Sequence, residues 1–255
     1  MTINYKLLLI LTLFFTSNFF AQNIITDRPD QTESSVTVGN KAFQIETGLL
    51  FQQKENTIKS FFGPSTLLRY GISKGIELRL MSQYESTKIE LEDEDVHYSG
   101  LNDIEFGAKI QLLKKSTLNT EIAFLTHVIV PTAKEHLTSN NLGVINKLAI
   151  SHAISNKIGI GYNIGYDYIE NQSYLTYSLA IGVSLSEKLS FYSEPYGALG
   201  ASNNFESNFN AGFTYLVTNN FQLDASYGFG INRDMKYISV GFSYKLPNFL
   251  IVTKS

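Results

Sequence analysis

Nine ionisable side chains share the polar side of the predicted strands between residues 43 and 130, where they could form a reactive or ion-selective cluster. They are Glu46, Arg69, Glu77, Arg79, Asp103, Glu105, Lys109, Glu121 and His127. Neighbouring strands lie about 4.8 Å apart, so opposite charges on one face can pair between strands. The expected pairs join Arg69 and Arg79 to Glu46, Glu77 or Glu105. We interpret the set as a structural ion-pair network around a narrow lumen. The alternatives are a polar constriction that selects solutes and a catalytic pair of carboxylates. Three further charges on the polar side, Asp167, Glu194 and Asp224, are more isolated.

Catalytic chemistry has little other support. The four histidines are His97, His127, His136 and His152. None of them has a local nucleophile signature or a second histidine at metal-binding spacing. The chain has no Gly-rich phosphate loop, and without cysteine it has neither disulfides nor a lipoprotein anchor. The acidic run 90–95 does not match an EF-hand and is interpreted as a solvated external loop. We therefore predict no enzyme, no catalytic residue, no metal and no cofactor.

The elements that position these charges are predicted strands. From Lys157 to Tyr168 apolar residues alternate with polar or small ones, and this pattern recurs about twelve times between Phe43 and Leu246. Strands of about 9–11 residues with one apolar and one polar face are typical of transmembrane barrels. A mean hydropathy of −0.03 does not reveal them, because the two faces cancel. A soluble β-sandwich also alternates and is the structural alternative.

The predicted fold is all-β, a transmembrane antiparallel up-and-down β-barrel of about 12 strands after a cleaved signal peptide. Short turns alternate with longer predicted links, which places both termini on the periplasmic side. The longer links are predicted at residues 53–60, 86–99, 131–142, 169–172, 199–204 and 232–234. An N-terminal membrane anchor is the alternative to the signal peptide, although the apolar run is short for a span. The predicted parts are a signal peptide 1–21, an N-terminal periplasmic rim or plug segment 22–42, the outer-membrane barrel 43–247 and a C-terminal tail 248–255.

The last predicted strand carries a motif for assembly of the barrel into the outer membrane. Residues 239–246 resemble the β-signal that the outer-membrane barrel assembly machinery recognises, through Gly241, Tyr244 and Leu246. Nine residues follow this pattern from Pro247 onward, whereas many barrels end at the final aromatic residue. Since proline cannot donate to a strand ladder, the strand should end there.

The stretch after the predicted cleavage site is rich in charge. Asp27, Arg28, Pro29, Asp30 and Glu33 lie among turn-prone residues. This composition predicts either a local turn at the periplasmic rim, stabilised by Asp–Arg pairing, or a small plug inside the lumen. A flexible leader is the third interpretation, and it would not require such dense pairing chemistry.

Several motifs resemble the meta-pathway phenol-degradation (MetA-pathway) family of outer-membrane β-barrel transporters. The most specific motif runs from Thr26 to Ser34, and the others are residues 44–48, 67–71, 76–79 and 101–104. The resemblance covers nearly the whole mature chain. It implies export or uptake rather than chemical turnover, and no catalytic residue carries over from the family.

We predict an outer-membrane channel or transporter of a Gram-negative cell that passes small solutes, aromatic or hydrophobic ones among them. A non-transporting structural or surface-binding barrel is the alternative, followed by a lipid-modifying outer-membrane enzyme. The expected partners are outer-membrane lipid, the assembly machinery and an unidentified solute. A net charge of −3 with 17% charged residues provides no basic surface for nucleic acid.

Overall fold

The computed structural model describes residues 24–114, 119–201, 204–247 and 249. The predicted signal peptide therefore lies outside the described residues, as does most of the predicted tail. Within the described part of the chain, no helix has the length and apolar character needed to cross a membrane. Residues 24–42, which we call the N-terminal segment, form no regular element.

Strands account for most of the remaining described chain. Their bounds are β1 Phe43–Lys54, β2 Ile58–Ser73, β3 Ile76–Ile89, β4 Val96–Leu101, β5 Ile104–Leu113, β6 Thr120–Val130, β7 Gly143–Ala153, β8 Ile158–Ile169, β9 Gln172–Ser184, β10 Leu189–Gly200, β11 Phe205–Thr218, β12 Phe221–Gly230 and β13 Met235–Leu246.

These strands form one closed antiparallel barrel. Each strand pairs with its sequence neighbour, except that β4 and β5 do not pair with each other, and β1 closes the ring by pairing with β13 from Phe43–Leu246 to Lys54–Met235. Both β4 and β5 pair with β3, at opposite ends of it, so they form one wall position interrupted at residues 102–103. The barrel therefore has 12 wall positions, which confirms the predicted fold and strand number.

The two faces of each strand have opposite polarity, as the alternation predicts. On β8, Asn163 and Asp167 are buried, whereas Ile164 and Tyr166 are 62% and 47% exposed. Burial of polar side chains with exposure of apolar ones is the reverse of a soluble protein. It is the arrangement expected of a barrel with lipid outside and a polar interior.

Most links between strands are tight, and several are shorter than predicted. The β1–β2 and β8–β9 links are residues 55–57 and 170–171, because the strands continue through most of the predicted loops. The long predicted link 131–142 between β6 and β7 is present. At the opposite end of the barrel, Phe249 stacks on Phe43 with 4.8 Å between ring centroids, so the chain after β13 turns back toward the start of β1.

Candidate functional site

A buried ion-pair network lines the inner face of β1, β2 and β3. Arg69 is fully buried and donates from Nε and Nη2 to the two carboxylate oxygens of Glu77, at 2.9 and 3.0 Å. Its Nη1 donates to Glu46 Oε1 at 2.8 Å. The pairing that the sequence predicts for Arg69 with Glu46 and Glu77 is therefore present. Each partner lies on a neighbouring strand, so the network ties the three strands together.

A second group lies on β3, β5 and β6. Arg79 Nε donates to His127 Nε2 at 2.9 Å, and His127 Nδ1 lies 2.8 Å from Glu105 Oε2. Because Nε2 accepts, we assign the proton of a neutral His127 to Nδ1, which then donates to Glu105. The predicted pairing of an arginine with Glu105 is thus indirect, because His127 lies between Arg79 and Glu105.

Asp27 of the N-terminal segment joins both groups. Its Oδ2 lies 2.7 Å from Arg79 Nη1, 2.8 Å from Lys109 Nζ and 3.2 Å from Arg69 Nη1. Its Oδ1 accepts a hydrogen bond from the Ser34 backbone N–H at 2.8 Å. One carboxylate, 8% exposed, therefore contacts three cations that come from three different strands.

Arg28 reaches the wall on the other side of β1. Its Nη2 donates to Asp224 Oδ1 at 3.0 Å and to Ser239 Oγ at 3.1 Å. The guanidinium lies against Gly48 and Gly241, which are directly paired between β1 and β13. A Cβ atom at either glycine would overlap the guanidinium. The glycine pair thus provides the space that this arginine occupies.

Wall carboxylates also bind the backbone of the N-terminal segment. Glu46 Oε2 accepts from Asp27 N and Arg28 N at 2.8 and 3.0 Å. Glu194 accepts from Gln31 N at 2.6 Å and Thr32 N at 3.0 Å. An irregular buried segment must satisfy its N–H groups outside regular structure, and these carboxylates supply the acceptors. The isolated appearance of Glu194 and Asp224 in the sequence therefore hid their contacts with the segment.

The structure also gives the positions of Pro29, Asp30 and Glu33, the remaining residues of the charged N-terminal motif. Glu33 Oε2 lies 2.9 Å from Arg79 Nη2, and its backbone N–H donates to Asn163 Oδ1 at 2.6 Å. Pro29 is buried and Asp30 is half-buried. The contacts of the segment thus extend from β12 and β13 through β10 and β8 to β3, on opposite sides of the barrel.

Two of the nine predicted charges lie apart from this network. Asp103 sits between β4 and β5, where its carboxylate accepts hydrogen bonds from the β6–β7 loop, including Ala133 N at 2.9 Å and Ser139 N at 2.8 Å. Burial alone would raise the pKa of Asp103, but these hydrogen bonds hold it below its ordinary value. Glu121 lies near the start of β6, opposite Ser151, and has no ion pair among the described residues.

Two cavities adjoin the N-terminal segment inside the barrel. One, of about 200 Å³, lies beside Asp27, Arg79 and His127 and has an apolar lining contributed by Leu67, Met81, Leu125 and Ile145. The other, of about 210 Å³, has a mainly polar lining that includes Gln31, Asn163, Asp167, Asn208 and Arg233. Lys147 lines both cavities. The described residues contain no group of three or more side chains placed to hold a metal ion.

Three solved structures with the same fold are a channel and two porins. An outer membrane channel from Pseudomonas putida F1 has a TM-score of 0.67 at 12% identity, covering 86% of this chain and 99% of that chain. The KdgM porin in complex with disordered oligogalacturonate has a TM-score of 0.55 at 12% identity, covering 79% and 98%. The NanC porin has a TM-score of 0.55 at 10% identity, covering 79% and 100%. The shared barrel and its apolar outer face locate the protein in the outer membrane.

Sequence comparison gives the family. No curated protein matches the chain. The family model described as "Putative MetA-pathway of phenol degradation" matches residues 26–246, which include the N-terminal segment from Thr26 onward and the whole barrel. The resemblance seen in the sequence motifs is therefore confirmed, and the chain belongs to this family.

Proposed function

We propose that this protein is an outer-membrane channel for small solutes, aromatic or hydrophobic ones among them, and that the N-terminal segment plugs its lumen. The observation that carries the proposal is the cavity beside Asp27, whose lining has an apolar part and a polar part. Leu67, Met81 and Leu125 form an apolar surface next to Arg79 and His127. Apolar walls with a few fixed polar groups are typical of small-molecule sites.

The size of the cavities sets the size of the solute. A cavity of about 200 Å³ corresponds to the volume of roughly seven water molecules, which suits a solute of about one ring. The polar cavity shares Lys147 with it and would accept the hydrophilic part of a solute. The family description, which names phenol degradation, supports aromatic solutes as the first class to test.

The plug role rests on how the segment is held. Its charges contact walls on opposite sides of the barrel, through Asp27 and Glu33 on one side and Arg28 on the other. A rim cap would contact only the strand ends, whereas Arg79 and His127 lie several residues inside β3 and β6. Passage of a solute then requires the segment to shift, and the wall ion pairs set the free energy of that shift.

Transport measurements test the channel. Proteoliposomes containing the full chain should take up phenol or benzoate faster than empty liposomes, and should exclude trisaccharides because the lumen is narrow. Asp93→Asn removes a carboxylate of the exposed loop after β3, remote from the cavity, and this control variant should take up the same solutes as fast as the wild type. Uptake no faster than in empty liposomes for every solute, together with no uptake defect in a deletion strain, would reject the channel.

We infer that the protein has no catalytic role. His127 bonds Arg79 and Glu105 rather than a hydroxyl nucleophile. Ser86 and His97 do lie 3.1 Å apart on the outer face, but no carboxylate of the described residues bonds the other nitrogen of His97. A serine nucleophile generally requires a base that is itself oriented by a third group. An unchanged membrane lipid profile in a deletion strain is the expected result.

We also infer that β13 carries the signal for the assembly machinery. Tyr244 and Leu246 lie at the end of β13 and face outward, whereas Gly241 faces the lumen. Tyr244→Ala should lower the amount of folded barrel in the outer membrane, while Tyr227→Ala, on the outward face of β12, should not. Equal folded yields for the two variants would contradict the inference.

A further inference from the structure

The outer face of the barrel carries a combined apolar and basic patch, which we call the outer groove. It spans β12, β13, β1, β2 and β3 near the end of the barrel that bears the β6–β7 loop. Cross-strand pairing aligns its apolar side chains as one row, Tyr227, Ile238, Phe51 and Phe61. The next row toward the loops aligns Lys236, Gln53, Lys59 and Lys88.

The apolar row lines a depression in the outer surface of the barrel. Phe51, Ile238 and Tyr227 are each at least half exposed, and the rings of Phe51 and Phe61 lie 4.8 Å apart. The groove that they line has a volume of about 590 Å³. This volume is within the range of sites that hold a small-molecule ligand, and it is open to the lipid side. An acyl chain is the ligand that a hydrophobic groove on the lipid-facing wall would contact.

The basic row lies two residues further along each strand, a distance of about 7 Å. Lys59 pairs with Glu90 at 2.6 Å and Lys88 pairs with Asp95 at 2.7 Å, all in exposed positions. Lys236 is in no ion pair among the described residues. Exposed ion pairs contribute little to stability, so an anionic ligand can replace Glu90 or Asp95 at small cost.

The outward-facing lysines of the strands are confined to one side of the barrel. Strands β5 to β12 contain only two lysines and no arginine within their bounds, Lys109 and Lys147, and both face the lumen. The outer groove is therefore a local basic patch and not a ring of charge around the barrel. It also lies at the loop-bearing end, which in barrels of this class faces the cell exterior.

We propose that the outer groove binds a phosphorylated lipid of the outer leaflet. The acyl chain lies on Phe51 and Ile238, and a phosphate of the headgroup lies between Lys59 and Lys236 or Lys88. A phosphate group carries up to two negative charges and three acceptor oxygens, so it can contact two lysines at once. The apolar row and the basic row, which lies about 7 Å closer to the loops, match the acyl chains and the headgroup of such a lipid.

Binding of bisphosphorylated lipid A to the purified full chain in detergent micelles tests the proposal. Each lysine near an anionic lipid surface contributes a factor of about five to affinity, so Lys59→Gln combined with Lys236→Gln should weaken binding about 25-fold. The matched control replaces Lys157 and Lys188, two exposed lysines of the opposite turns, by glutamine and should bind like the wild type. Replacing Lys59 and Lys236 by arginine should preserve binding.

The phosphate dependence separates this site from general lipid contact. The same acylated disaccharide without phosphates should bind the wild type as weakly as lipid A binds the double glutamine variant. Equal affinity for the two lipids, or equal affinity of wild type and double glutamine variant for lipid A, would overturn the proposal. Thermal melting of each variant checks that all compared proteins are folded, and channel conductance is expected to be unchanged in the glutamine variant.

Discussion

Replacing Asp27 by asparagine should release the N-terminal segment from the barrel wall. The carboxylate contacts Arg79, Lys109 and Arg69 within 3.2 Å, and asparagine would turn an uncharged group, partly a donor, toward these cations. Removing one partner of a buried ion pair costs about 3–5 kcal/mol. Asparagine retains one acceptor oxygen and the adjoining cavity admits water, so we expect the lower limit, about 3 kcal/mol. This corresponds to a roughly 100-fold change in the ratio of bound to released segment.

Single-channel recording in planar bilayers measures that ratio. The wild type should show rare openings, and Asp27→Asn should increase the open probability roughly 100-fold unless it approaches saturation. Limited proteolysis provides an independent measurement, because a released segment becomes a substrate for proteases. The expected cleavage then lies between residues 24 and 42 while the barrel stays intact.

The control is Asp93→Asn, which removes the same charge from an exposed loop and should behave like the wild type in both assays. If Asp27→Asn also matches the wild type in open probability and in cleavage rate, the ion cluster does not hold the segment. If cleavage rises while conductance stays unchanged, the segment is released but does not close the permeation path. The second outcome would refute the plug and leave the ion-pair reasoning intact.

Three further predictions concern other contacts. Arg79→Ala should lower barrel stability and shift ion selectivity toward cations, since it removes a cation from the Asp27 and Glu33 carboxylates inside the lumen. Ile160→Ala on the outer face should change stability alone, and equal reversal potentials of wild type and Arg79→Ala would show that Arg79 does not line the path. Gly48→Ala should displace Arg28 and lower the melting temperature, with an overpacking cost of about 1–3 kcal/mol. Because the pKa of Asp103 is lowered in the folded protein, its hydrogen bonds to the β6–β7 loop should persist above its ordinary pKa of 3.8 and be lost as pH falls through the lowered value. The hydrogen-exchange protection factors of that loop, which are corrected for the intrinsic effect of pH on exchange, should be constant from pH 7 to pH 5 and fall only well below pH 4.

The alternation of the sequence was sufficient to predict the barrel and the inward charges of its first strands. Period-two patterning is local, and the tight turns make each strand the neighbour of the next. Arg69 could therefore be paired with Glu46 and Glu77 from sequence alone. Loop lengths were less predictable, because strands such as β1 and β2 continue into polar residues that resemble a loop.

The contacts of the N-terminal segment were not predictable in the same way. Arg28 and Asp224 are 196 residues apart, and an irregular segment has no periodicity that would fix its partners. One signal was present in the sequence, however. Glu194 is an inward carboxylate with no cation on the adjacent strands, and Asp224 has none at the positions paired with it, Thr214 and Gly241. A buried carboxylate nevertheless requires donors. Carboxylates that face the lumen and have no cation opposite them in the wall thus indicate that another segment enters the lumen.

The segment also bears on how the barrel closes. All 12 residues of β1 pair with β13, which joins the first strand of the barrel to the last. The segment crosses this seam, because its backbone bonds Glu46 on β1 while the Arg28 side chain bonds Ser239 on β13. Contacts on both sides of the seam add to its strand pairing. The same charges that would close the lumen therefore stabilise the closed barrel, and a variant that releases the segment should both open the channel and lower the melting temperature.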